Sequence, residues 1–159
     1  MDSSQVQQRE STFKRFLWLY GLYTLLNMVS FLAGYYLLPE GFMRGSPQSV
    51  IGSLVASATS FWGEFGLTLL FNLGVVFVVC VLANLQRLYG IPMGYIVLMI
   101  LGITSGLIAG TNSFSASDLK QFNAWDGTAL AMSIGGVEMI AYVLSISATA
   151  NIGWYEYNL

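Results

Sequence analysis

From Phe16 to Leu38 the chain runs for 23 residues without a charge. At 1.5 Å per residue such a helix reaches roughly 35 Å, enough to cross a hydrocarbon core of about 30 Å. Three further stretches read the same way. One spans about 65–85 and stops before Arg87. The next spans about 91–110 and opens on Ile91-Pro92, where a first helical turn tolerates proline. The last spans about 128–151 and holds one acid, Glu138. The expected fold is all-α: a polytopic transmembrane helical bundle of about four spans, forming a single membrane domain over residues 1–159. The first run exceeds the roughly 7–15 residues of a signal-peptide core. Its exit, Tyr35-Tyr36-Leu37-Leu38-Pro39, offers no small-residue cleavage site, so the run is expected to be retained.

Composition agrees and excludes several function classes. Hydrophobic residues make up 55% and charged residues 9%, against roughly 25% charged in a soluble domain. There is no His, which removes His-based acid–base catalysis, Ser-His-Asp triads and most catalytic zinc sites. The single cysteine, Cys80, allows no internal disulfide and reads as an inert core thiol. Six basic residues form no polybasic stripe, so nucleic acid is not an expected partner. No phosphate loop, nucleotide fingerprint or metal cluster occurs. The expectation is a non-enzyme without catalytic residues, metal or cofactor, partnered by the lipid bilayer, by other membrane proteins and by copies of itself. A Glu64 and Glu138 pair is the only source of acid–base groups, and the two sit at different depths of their spans.

Four spans place the termini and the second connection on one side, with Arg9, Lys14, Arg15 and Arg87. Arg44 and Lys120 fall on the other. The excess of cytoplasmic Lys and Arg in membrane proteins then predicts a multi-pass protein of the cell membrane with cytoplasmic termini. Residues 41–63 are poor in charge and rich in Ser, Gly and Ala. They are expected to hold an interfacial or re-entrant helix before the second span, a short aqueous loop being the alternative. Residues 111–127 read as a polar loop. Trp18, Trp62, Trp125 and Trp154 fall near span ends, where aromatic anchors belong.

Lipid tails are as apolar as leucine, so helices in a membrane associate through close packing and hydrogen bonds. Gly102, Gly106 and Gly110 recur every four residues in the third span, a face that lets another backbone approach, within the chain or in a dimer. Tyr20, Tyr23, Thr24, Asn27, Ser30 and Gly34 share one side of the first span. Glu64, Thr68 and Asn72 follow at i, i+4 and i+8 in the second. Glu138 lies among small residues of the fourth, just after Gly135-Gly136. An intramembrane acid costs at least about 2.5–3.5 kcal/mol to insert. It therefore reads either as polar glue to groups such as Asn72 and Asn27, or as a proton or cation site.

Two stretches carry a family resemblance. Phe71-Asn72-Leu73, the tight connection at Tyr89-Gly90 and the glycine-rich third span form one. Gly136-Val137-Glu138-Met139 and the small-residue helix after it form the other. Over about residues 60–153 the chain resembles the stage II sporulation protein M (SpoIIM) family of integral membrane proteins, with Asn72, Gly136 and Glu138 at matching positions. The family's Pro-His before that glycine is Ile134-Gly135 here. The resemblance implies a polytopic helical protein that works through partners, as a scaffold or subunit of a membrane complex. A small oligomeric transporter or channel using Glu138 as its proton or cation site is the alternative.

Overall fold

The computed structural model describes residues 3–113 and 136–157, with the side chains of 3–10, 56, 75–77, 79 and 136–138 left out. The described chain is mostly helical. Helix α1 spans Ser3–Leu37 and ends where Pro39 bars a further turn. Two glycines with positive φ, Gly41 (76°) and Gly45 (92°), turn the chain into α2, Pro47–Ala56. Residues 41–63 thus contain a helix. Ser46 caps it by accepting from the Ser49 N–H at 3.3 Å, with Pro47 at the first helical position. Helix α3 spans Phe61–Val75, and Glu64 in its first turn complements the helix dipole.

The second span differs from the expected helix over 65–85. The helix begins four residues earlier, at Phe61, widens to a π-helix over Val76–Leu82 and tightens to a 3-10 turn over Ala83–Leu85. The winding changes where the chain must deliver Asn84 and Arg87 to fixed partners, described below. Helix α4 follows, Met93–Gly110, and α5 spans Gly136–Thr149. Residues 128–135 of the fourth candidate span lie outside the described residues, as do Lys120 and Trp125.

Among the described residues, two helices are long and apolar enough to cross a membrane: Ser11–Leu37 within α1, and α4. Their 27 and 18 residues correspond to about 40 Å and about 27 Å.

The expectation of a purely helical chain misses a small three-stranded sheet of order β2-β1-β3. Strands β1 (Gln86–Leu88) and β2 (Ile91–Pro92) form a hairpin across Tyr89 and Gly90, at φ 50° and 78°. Two successive positive φ values are what a tight hairpin turn requires. Strand β3 (Tyr155–Tyr157) then lies parallel to β1, with Arg87 opposite Glu156. Strands of two or three residues carry no alternation that a sequence could display, and the β1–β3 pairing joins segments almost seventy positions apart.

The main packing event is α1 against α4. Leu98, Gly102, Gly106, Ile108 and Gly110 are buried on α4. A Cβ at Gly106 would strike the Asn27 carbonyl oxygen, and one at Gly110 the Phe31 carbonyl oxygen. At Gly34 of α1 the reverse approach leaves 3.3 Å to the Leu107 oxygen. The buried core adjoining this seam draws Leu19 and Tyr23 from α1, Cys80 from the π-helix, Leu98 from α4, and Tyr142, Val143 and Ile146 from α5.

Substituting Gly106 by Leu should therefore destabilise the bundle by about 1–3 kcal/mol through overpacking. Gly66→Ala on α3, where a Cβ meets nothing within 4 Å, should be neutral or stabilising by up to about 1 kcal/mol. Unfolding titrations of both variants in detergent check this, and equal effects would refute the close-approach account.

Candidate functional site

Among the described residues, three polar joints hold the bundle together. The first lies within the α1–α4 seam. Asn27 Nδ2 donates to the Gly102 carbonyl at 3.1 Å and to Ser105 Oγ at 2.8 Å. The Tyr23 hydroxyl lies 3.3 Å from the same Ser105 oxygen. Asn27 thus bonds α4 at the level of its glycines, where a close backbone leaves a carbonyl within reach of a short amide.

The second joint closes the end at Glu40 and Thr111. Helix α4 stops in a Schellman motif: the Ser113 N–H bonds the Ile108 carbonyl at 2.9 Å, and the Asn112 N–H bonds Ala109 at 3.2 Å. Asn112 takes the left-handed position at φ 49°, which asparagine tolerates better than most residues. Of the expected polar loop over 111–127, residues 111–113 are described and are buried, while 114–127 lie outside the described residues. Thr111 and Ser113 are fully buried, and their hydroxyls lie 2.6 Å apart. The Gly41 N–H reaches the Thr111 carbonyl at 2.6 Å, the Met43 N–H reaches Ser113 Oγ at 3.0 Å, and Ser49 Oγ donates to the Ser113 carbonyl at 2.6 Å. Asn112 Nδ2 donates to Glu40 Oε1 at 2.8 Å, and Arg44 pairs loosely with the same carboxylate at 3.9 Å. These bonds pin α2 onto the end of α4.

The third joint is centred on Asn84, which is fully buried. Its Nδ2 donates to the Ile146 carbonyl at 2.9 Å and to Thr149 Oγ1 at 2.8 Å. Its Oδ1 accepts from the Gly94 N–H at 3.1 Å, satisfying a free donor in the first turn of α4. Gly94 must be glycine, because a Cβ there would overlap Asn84 Oδ1. Thr149 Oγ1 also bonds back to Ser145 and reaches the Cys80 carbonyl. Arg15 Nη1 donates to the Ser147 carbonyl, and Arg87 Nη2 donates to the Ala150 carbonyl, each at 3.0 Å. The last turn of α5 has no basic residue of its own. Its terminal carbonyls and negative dipole end are instead met by two guanidinium groups and an amide from other elements.

The residues expected to form one intramembrane site are dispersed. Asn27 belongs to the α1–α4 seam. Asn72 accepts from the Tyr142 hydroxyl at 2.9 Å, joining α3 to α5. Glu64 is exposed on the first turn of α3. Gly136 begins α5, and the Glu138 side chain lies outside the described residues although its backbone is helical. Gly102, Gly106 and Gly110 face α1. Asn84, Arg15 and Arg87 were not singled out as site residues. One signal existed for Asn84: an amide lies in an apolar run ten residues before a glycine.

Arg15 and Arg87 meet at the end of the bundle opposite Arg44, with the start of α4 and the C-terminal strand beside them. No family model, curated protein or solved structure matches the chain.

Removing the Asn84 side chain strands a buried N–H and carbonyl at once. Asn84→Ala is expected to cost about 2–6 kcal/mol, at about 1–3 kcal/mol for each group left unsatisfied. Asn72→Ala, which removes one bond at a half-buried position, should cost about 0.6 kcal/mol. Detergent unfolding curves of the two variants test this order.

Proposed function

We propose that the protein is a multi-pass integral membrane protein with cytoplasmic termini, acting as a non-enzymatic scaffold or subunit of a membrane complex, as its resemblance to SpoIIM implies. The observation that carries this reading is the division of labour among its side chains. The amides and hydroxyls of the three joints are engaged in holding helices together. Large apolar residues point outward instead, including Leu25, Val29 and Leu32 on α1 and Phe65, Leu69, Leu70 and Leu73 on α3. Such surfaces suit lipid or the helices of a partner, including a second copy of the chain.

Trp18, Trp62 and Trp154 are each exposed by more than 70%. They stand near the ends of the expected spans, which supports anchoring at the bilayer surfaces. Arg15 and Arg87 share one end and Arg44 the other, in keeping with the charge division that assigns the termini to the cytoplasm. Helix α3 offers a dense outward apolar face, and its glycines Gly66 and Gly74 leave open space around it. It is the helix by which partner spans would be bound.

Purification in mild detergent should recover a stable complex, hetero- or homo-oligomeric. A Phe65→Ala, Leu69→Ala double variant should lose the partner by at least tenfold with an unchanged unfolding midpoint. Recovery of a lone monomer in mild detergent refutes the scaffold reading. Proton or cation flux in liposomes that disappears in Glu138→Gln would replace it with a transporter.

A further inference from the structure

Between α1 and α4, at the end where Arg15 lies, a cavity of about 300 Å³ opens outward. Trp18 and Leu22 of α1 and Ile96 and Met99 of α4 line it, with Arg15 and Tyr95 at one end. Its walls are apolar, so it suits a hydrocarbon chain better than a polar solute. The groove exists because α1 and α4 are drawn together by glycines farther along: Gly102, Gly106 and Gly110 lie beyond it on α4, while bulkier residues hold the helices apart at its level.

The end of the groove is electropositive. Arg15 spends one donor on the Ser147 carbonyl, and the described residues take no other. A guanidinium carries five donors in a planar fork that matches phosphate oxygens. The positive end of the α4 dipole adds to the same field. Arg87 contributes from behind: its Nη2 bonds the Ala150 carbonyl, three residues beyond the Ser147 carbonyl that Arg15 holds. Glu156 lies opposite Arg87 in the sheet register, yet no ion pair joins them. Among the described residues, no carboxylate pairs with either arginine.

We propose that this groove is a binding site for one anionic glycerophospholipid, with an acyl chain along Leu22, Ile96 and Met99 and the phosphate on the free donors of Arg15. The site rests on the membrane reading above. The two requirements converge there: an apolar slot lies along the span, and a cation with unused donors stands at its mouth. The cytoplasmic leaflet, to which this end is assigned, is the anionic one. Trp18 flanks the phosphate level, where an indole ring is at home.

The test reconstitutes the full chain into vesicles of phosphatidylcholine containing either brominated phosphatidylglycerol or brominated phosphatidylcholine at equal mole fraction. Quenching of Trp18 is read as the difference between wild type and Trp18→Phe. Wild type should show about a fivefold preference for the anionic lipid, the factor expected for one charge-assisted contact made by Arg15. Arg15→Gln should bring that preference close to unity, Arg15→Lys should retain most of it, and Lys14→Gln, an exposed neighbour, should leave it unchanged. Equal quenching by the two lipids in wild type overturns the proposal without any variant. So does an equal loss in Lys14→Gln and Arg15→Gln, which would reveal only a general surface field. Failure to enter vesicles of either composition overturns the membrane reading itself, whereas insertion without lipid preference overturns the site alone.

Discussion

In a membrane, two helices gain little by burying leucine against each other, because lipid already offers the same surroundings. The contact of α1 with α4 answers that constraint with small residues. Glycines at 102, 106 and 110 remove the side chains that would separate the backbones, and Asn27 then reaches a main-chain carbonyl across the gap. The approach is too close for a methyl group at Gly106 or Gly110. Everything else is arranged on this pair. The core cluster lies beside it, the second joint caps the far end of α4, and the open groove begins where the glycines stop.

The ends of helices pose a separate problem, since terminal carbonyls and N–H groups have no partner within the helix. Here the solutions cross between elements. Asn84 serves the first turn of α4 and the last turn of α5 with one amide. Arg15 and Arg87 meet two more carbonyls at the α5 terminus, those of Ser147 and Ala150. The π-helix and 3-10 turn before Asn84 are the local consequence. A regular helix over 65–85 would rotate the amide to another bearing, and changing the number of residues per turn re-aims it. The small sheet then ties Arg87 to the C-terminal segment.

These joints account for most of the buried polar side chains among the described residues. The amides and hydroxyls at the joints are committed to holding helices together, while the outward faces of α1 and α3 are apolar. The proposed scaffold role and the proposed lipid groove both rest on that separation of inside from outside.

Much of this was legible in the residues and some was not. The charge-free runs, the glycine spacing in 102–110, the polar side of 20–34 and the helix within 41–63 are local patterns, visible because helical periodicity places their members on one face. Asn72 and Asn27 were equally visible, but not that they join different helix pairs, α3 to α5 and α1 to α4. Asn84, the trans-capping arginines, the buried turn at Thr111–Ser113 and the sheet depend on contacts between residues sixty to more than one hundred and thirty positions apart. Sequence by itself determined the helical character, the apolar lengths and the faces that could meet, because those follow from local chemistry and a fixed period. Only the tertiary structure decided which polar group meets which, because a hydrogen bond has a range near 3 Å and a direction, and neither is set until the helices have packed.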